Sequence, residues 1–121
     1  MQDCKVNILG AEYLIQKKSY SDEFAFKKRN IDGYCDRYQN LIVYCDLDTD
    51  DMWDSEPEKT KREAEKYTVR HEIVHAFLLE SGLAESSHGI DHGWGIDDEI
   101  VDWIAIQLPK IYKAFTEVGA L

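Results

Sequence analysis

The sequence predicts an α+β fold in which a small N-terminal antiparallel β-sheet packs on two helices. Short runs rich in β-branched and aromatic residues are confined to residues 5–45. A helical pattern follows over residues 58–82, and a second one begins near residue 98. With 121 residues, 44% of them hydrophobic, the chain suits a single domain over residues 1–121 with one modest core.

The predicted strands lie in the N-terminal part of the chain. Residues 5–16 contain short apolar pieces around a glycine, which are interpreted as strands or as one strand with a bulge. Residues 31–35 and 40–45 flank a polar connection and are typical of a hairpin. Residues 17–30 are polar, with two phenylalanines at strand spacing, and are predicted to form a loop or a short edge strand.

The overall charge and the cysteine content exclude several classes of protein. A formal net charge of −10, without a dominant Lys and Arg cluster, argues against direct binding of nucleic acid. No window approaches the roughly 18 apolar residues that a membrane helix requires, so no membrane partner is expected. Cys4, Cys35 and Cys45 form no CxxC pair, and no long apolar run follows the N-terminal residues. We therefore expect a reduced, cytoplasmic protein in which Cys35 and Cys45 are half-buried strand residues.

An acidic segment over residues 46–56 precedes the first long helix. Its alternating aspartates resemble the start of a calcium loop, but Asp51 and Pro57 stand where an EF-hand has its glycine and its final glutamate. A solvated acidic loop is therefore predicted. Ser55 stands three residues before Glu58, with Pro57 between them, which predicts a capping-box start for the helix.

The central motif is HEIVH, inside an apolar helical run that ends at Gly82. His71 and His75 are four residues apart and lie on one helix face, so both rings can reach a single metal ion. Zinc takes neutral imidazole nitrogens at about 2.0–2.1 Å in a tetrahedral shell. Glu72 is placed to polarise a water that the metal holds. The alternative is a pair of core histidines bonded to backbone carbonyls, but the paired spacing around a glutamate favours the metal.

A catalytic zinc site needs a third protein ligand. The spacing that puts a third histidine six residues after the second is excluded, because that position is Ser81. His88 and His92 follow in a glycine-rich loop, and either could serve by a less familiar spacing.

A carboxylate further along the chain is the better candidate. Asp97 or Asp98 can cap a final helix in which Glu99 lies in the first turn. If this helix packs beside the HEIVH helix, Glu99 could complete a His, His, Glu shell, and Asp102 could be the partner of a ligand histidine. The alternative for Glu99 is an ordinary first-turn carboxylate favoured by the helix dipole. Pro109 is expected to kink or interrupt this helix.

These two segments resemble the ImmA/IrrE-type zincin-like metallopeptidases. Residues 71–78 read HEIVHAFL, and residues 98–109 read DEIVDWIAIQLP, similar to the glutamate-led helix with a Leu-Pro ending in that family. The resemblance covers about residues 55–110 and extends to the small sheet before the motif helix. It implies a zincin-like fold and an origin in bacteria, phages or mobile elements, where such enzymes cleave repressor-like proteins.

The resemblance also implies roles for individual residues. It assigns His71, His75 and Glu99 as Zn²⁺ ligands and Glu72 as the general base. Asp102 departs from the pattern, because the family has alanine or asparagine three residues after the glutamate. No helix-turn-helix or other appended domain is visible, so the chain corresponds to a minimal version.

The expected chemistry is metal-assisted hydrolysis of a peptide bond in a regulatory, repressor-like protein. Glu72 would accept a proton from the activated water and pass it to the leaving amine. The oxyanion also needs a stabilising group, and His88, His92 and Tyr67 remain open as candidates. Two other functions stay open: a catalytically silent binding module or inhibitor acting through its acidic surface, and a metal-dependent hydrolase of another substrate class.

Overall fold

The fold is α+β, as predicted, with one four-stranded sheet and four α-helices among the described residues. The computed structural model describes residues 1–86, 93 and 97–121. The strands are β1 (Cys4–Ile8), β2 (Ala11–Ser19), β3 (Gly33–Asp36) and β4 (Leu41–Asp46), in the order β1-β2-β4-β3. The helices are α1 (Phe24–Arg29), α2 (Glu58–Glu80), α3 (Leu83–Ser86) and α4 (Asp98–Glu117).

The sheet is mixed, so the prediction of an antiparallel sheet is wrong in part. β1 pairs with β2 and β3 pairs with β4 in antiparallel fashion, but β2 and β4 run parallel. The chain leaves β2, passes through α1 and β3, and returns so that β4 lies beside β2 in the same direction. Alternating patterns define each hairpin, but they do not specify how two hairpins dock.

The segment of residues 17–30 is neither a loop nor an edge strand, and this prediction is corrected. Its first residues complete β2, and α1 follows. The Glu23 side chain accepts a hydrogen bond from the Ala25 N–H at one end of the helix, and Asn30 adopts a left-handed conformation at the other. Phe26 is buried. A helix of six residues is under two turns long, too short for a helical period to emerge from the sequence.

The long helix α2 ends where the sequence predicted and begins differently. Gly82 has a φ of +84°, the left-handed conformation that terminates helices. At the other end Pro57 is the N-cap residue, and no side chain caps the helix there. The capping-box prediction for Ser55 is therefore wrong: the helix begins at Glu58, so Ser55 lies two positions before the cap.

The sheet is covered on both faces, and α2 packs on the face that bears the site. Ile42 and Tyr44 belong to the core cluster beneath α2, whereas Val43 and Cys45 point to the opposite face with Phe26. Helix α2 lies very close to the edge strand β3. A Cβ added at Gly33 would stand 2.5 Å from the Thr68 methyl group and 2.9 Å from the Val43 carbonyl oxygen. This approach brings the motif helix against the strand edge.

Helix α4 runs through Pro109 without interruption. Proline has no N–H, so the carbonyl of Ala105, four residues earlier, loses its helical partner. Arg70 on α2 supplies a replacement: its Nε donates a hydrogen bond of 3.0 Å to the Ala105 oxygen. The predicted interruption is therefore absent, and a side chain from the neighbouring helix satisfies the freed carbonyl group.

The acidic segment before α2 forms two short 3₁₀ turns, Leu47–Thr49 and Asp51–Trp53. The Asp46 and Asp50 carboxylates accept hydrogen bonds from the backbone N–H groups two residues later. Asp50 is buried, unlike a residue of the solvated loop that the sequence predicted. Part of the acidic character is therefore used to cap local turns.

Candidate metal centre

His71, Glu72 and His75 of α2 form a group that can hold a metal ion. Their ligand atoms all lie within 4.8 Å of one another. The Nε2 atoms of His71 and His75 are 3.0 Å apart, because the i, i+4 spacing places the two rings on one helix face. The geometry agrees with the prediction that the motif can bind a metal ion.

A carboxylate from the start of α4 joins the two imidazoles. The Oδ1 atom of Asp98 is 3.0 Å from His75 Nε2 and 3.6 Å from His71 Nε2. Three atoms bound to one tetrahedral zinc at about 2.0–2.1 Å would be about 3.3 Å apart. The observed triangle of 3.0, 3.0 and 3.6 Å matches that separation.

Asp102 fixes the orientation of His71. Its Oδ1 atom lies 2.6 Å from His71 Nδ1 and also accepts a 2.6 Å hydrogen bond from the Tyr67 hydroxyl. A carboxylate accepts, so the imidazole proton belongs on Nδ1 and the Nε2 lone pair points into the site. Burial, together with the bond to Asp102, raises the pKa of Tyr67 to about 12, which keeps its hydroxyl a donor.

The protonation pattern leaves the site rich in lone pairs. His71 Nε2 and Asp98 Oδ1 are both acceptors in this arrangement, so of these three atoms only His75 Nε2 could carry a hydrogen. Burial lowers the pKa of His75, with His71 as a further cause, so the ring favours its neutral form. Neutral imidazoles and a carboxylate converging on one point are the donor set that Zn²⁺ prefers.

Glu72 has the properties of a general base. Only 8% of it is exposed, and its Oε1 atom lies 4.0 Å from His71 Nε2. Burial raises its pKa to about 7, and the negative charge of Asp98 adds to this; an imidazolium at His71 would lower it. A carboxyl group poised near neutrality can both accept and return a proton.

The site opens into a cleft of about 330 Å³ between α2 and the β3 edge. One wall is the motif helix, and the other comes from β3 and the end of α1. The lining residues are Arg29, Ile31, Gly33, Tyr34, Cys35, His71, Glu72, His75, Leu79 and Asp98. Arg29 brings a positive charge to the cleft. Its place in the cleft could not be predicted, because the sequence around it shows no helical period and α1 was not expected.

Cys35 and Cys45 both lie in strands, as the sequence predicted, but Cys45 is fully buried rather than half-buried. Cys35 is half-buried in β3, and Cys45 is buried in β4. Burial raises the pKa of both thiols to about 12, which keeps them protonated and poor as ligands or nucleophiles.

The third predicted ligand, Glu99, is exposed on the first turn of α4. Its backbone N–H donates to the side chain of Asp97, which therefore is the helix cap. Asp98, the residue before Glu99, is the carboxylate that faces the histidines. Glu99 as a ligand stays a prediction, and Asp98 becomes the competing candidate.

The remaining predicted site residues divide into two groups. Tyr67 lies beside the site, but its hydroxyl is engaged with Asp102. That bond suits a supporting role better than oxyanion stabilisation. His88 and His92 lie outside the described residues, so their proposed roles stay predictions.

Comparison with protein-family models, curated proteins and solved structures finds no match to this chain. The ImmA/IrrE resemblance therefore rests on the sequence pattern alone. Among the described residues, no helix combines the length and apolarity needed to cross a bilayer.

Proposed function

We propose that this protein is a zinc-dependent metallopeptidase. The observation that carries the proposal is the pair of His71 and His75 Nε2 atoms, 3.0 Å apart and directed into one cleft beside the buried Glu72. Bound Zn²⁺ supplies Lewis acidity and lowers the pKa of a water molecule towards about 7. A zincin-like fold and a cytoplasmic location belong to the same proposal.

Glu72 is the general base in this proposal. Its carboxylate accepts the proton of the attacking water and returns it to the amine that leaves. A pKa of about 7 suits both steps, because the two protonation states are then close in free energy near neutral pH. Asp102 holds His71 through its Nδ1 proton and keeps the ligand nitrogen directed at the cleft.

The third ligand is a carboxylate from the first turn of α4. Asp98 is the candidate that the geometry favours, since its Oδ1 atom lies 3.0 Å from His75 Nε2. The family resemblance assigns this role to Glu99 instead. The two are separated by comparing zinc affinity in Asp98→Ala and Glu99→Ala.

An extended peptide suits the cleft because β3 is an edge strand of the sheet. The Asp32 carbonyl accepts a hydrogen bond from the Cys45 N–H, so it points towards β4. Backbone groups alternate in direction along a strand, so those of Gly33 and Cys35 point away from β4. Both residues line the cleft. A substrate strand could pair with these groups and present its peptide bond to the histidines.

The substrate we propose is a regulatory, repressor-like protein, an extension that rests on the family resemblance alone. The acidic chain, with a net charge of −10, favours partners with basic surfaces, as DNA-binding repressors have.

The test compares the zinc-loaded wild type with zinc-loaded Glu72→Gln on a mixture of unstructured peptides and on candidate repressors, with mass spectrometry of the products. We expect discrete wild-type cleavage and a loss of at least about 100-fold in the variant. If both proteins bind a partner and neither cleaves it, the peptidase proposal fails, and the silent binding module replaces it.

A further inference from the structure

The last helix carries a regular apolar stripe that the candidate site does not use. Along α4 and its C-cap, large apolar residues recur at spacings of four, three, four and three, which is the heptad pattern of helices that pair in coiled coils. We call this stripe the α4 seam; its members are Ile104, Leu108, Ile111, Phe115 and Val118.

The domain's own packing leaves much of the seam uncovered. Val101 and Ala105 are buried, whereas Leu108 is 54%, Phe115 48% and Val118 77% exposed. Past Pro109, most described residues of the helix are exposed. The seam therefore continues beyond the part of α4 that α2 covers.

An apolar groove lies where the covered and uncovered parts of the seam meet. It has a volume of about 350 Å³ between α2 and α4. Ile73 and Val74 form one side, and Ile104, Leu108 and Tyr112 form the other. This volume is large enough for an aromatic side chain from outside the domain.

The seam is uncharged in a strongly acidic chain. A net charge of −10 would normally oppose the close approach of two copies. On a heptad register the flanking positions are Ala105, Gln107, Tyr112 and Ala114, none of which is charged. The charged residues of this stretch, Lys110, Lys113 and Glu117, fall on the outward positions.

We infer that the α4 seam binds the α4 seam of a second copy in an antiparallel, two-fold arrangement. The pattern is self-complementary, because in an antiparallel pair each a position of one helix packs against a d position of the other helix. Leu108 then packs against Ile111 of the other copy, and Ile104 against Phe115. Phe115 of each copy thereby enters the groove beside Ile104 of the other.

The pairing leaves the cleft free and is modest in strength. Asp98 and Asp102, which approach the histidines, are not members of the seam. Two crossing helices with one aromatic anchor each bury an area near the lower end of stable interfaces, about 1,200 Å² in total. We expect a dissociation constant in the micromolar range.

Sedimentation equilibrium of the full chain from about 1 to 200 µM tests this inference. We expect a reversible monomer–dimer equilibrium whose dissociation constant rises at least about 30-fold in Phe115→Glu. The matched control is Trp103→Glu, which places the same charge at an apolar residue of α4 that is 56% exposed but off the seam. Circular dichroism checks that both variants fold. A monomer at every concentration, or equal effects of the two variants, overturns the inference.

A disulfide experiment tests the direction of pairing. Leu108→Cys and Ile111→Cys are made separately in a Cys4→Ser background, because Cys4 is an exposed thiol. After the two proteins are mixed and oxidised, antiparallel pairing predicts predominantly the mixed disulfide. A predominance of the Leu108→Cys homodimer would indicate parallel pairing, and disulfides no more frequent than in a Trp103→Cys control would overturn the seam contact.

Discussion

At the scale of single residues, the site depends on how burial and hydrogen bonding set the protonation of three side chains. Asp102 holds the proton of His71 on Nδ1, and burial keeps His75 neutral. Glu72 is buried beside them with a pKa of about 7. Each of these conditions is needed for histidines to bind a metal and for a carboxylate to act as a base.

Glu72 should make the stability of the metal-free protein depend on pH. Its pKa is about 7 when folded and 4.5 in the reference state, so its protonated form favours folding. That contribution is complete below about pH 4.5 and is lost as the pH rises through about 7. With a chelator present, Glu72→Gln should therefore be more stable than wild type by about 1–3 kcal/mol near pH 9, measured by urea unfolding. The difference should shrink as the pH falls towards 5.

The control for this prediction is Glu63→Gln, a neutralisation at an exposed position of the same helix. It separates the burial of Glu72 from the general effect of removing one negative charge. A constant difference between Glu72→Gln and wild type from about pH 5 to 9 would contradict the assignment of a buried, protonated carboxyl.

Asp102 should support the metal without binding it. Removing a carboxylate that orients a ligand histidine typically weakens metal affinity about 10–100-fold, and we expect a loss of this size for Asp102→Ala. Tyr67→Phe removes only the second donor to the same oxygen and should cost less. Competition with a zinc chelator measures both. An unchanged affinity in Asp102→Ala would show that His71 needs no such support.

At the scale of elements, α2 and α4 are joined by a contact that compensates for Pro109. The Ala105 carbonyl has lost its helical N–H partner and accepts from Arg70 Nε instead. Arg70 and Pro109 are therefore coupled although they lie on different helices, and both line the apolar groove between α2 and α4.

A double-mutant cycle tests this coupling. Arg70→Met should destabilise the protein by about 1–3 kcal/mol, because it leaves a partly buried carbonyl without a donor. In a Pro109→Ala background the helix supplies that N–H, so the same substitution should cost clearly less. Urea unfolding of the four proteins gives the coupling free energy. Equal costs in both backgrounds would show that Arg70 acts through other contacts.

The elements also show what the sequence could and could not predict. Helix α2, its glycine stop and the β3–β4 hairpin follow from periodicity and turn residues, which are local signals. Helix α1 was missed because it is shorter than two turns. The choice between Asp98 and Glu99 depends on which aspartate caps α4, since a shift of one residue turns a side chain by about 100° around the helix. That shift lies below the accuracy of boundary prediction.

At the scale of the whole molecule, long-range arrangements decide the rest. The parallel pairing of β2 with β4 depends on how two hairpins dock, and the approach of α2 to Gly33 depends on the close packing of Thr68. Neither arrangement produces a local pattern that could be recognised in the sequence. The two histidines, by contrast, were predictable because one helix turn brings them together whatever the surrounding fold.

An equilibrium zinc titration of the purified chain against a chelator of known affinity shows whether HEIVH binds zinc in this protein. We predict one zinc per chain in wild type and in Glu72→Gln, with affinity at least about 100-fold weaker in His71→Ala and His75→Ala. Absence of stoichiometric binding in wild type, or equally tight binding in the two histidine variants, would contradict the metal centre and the function built on it.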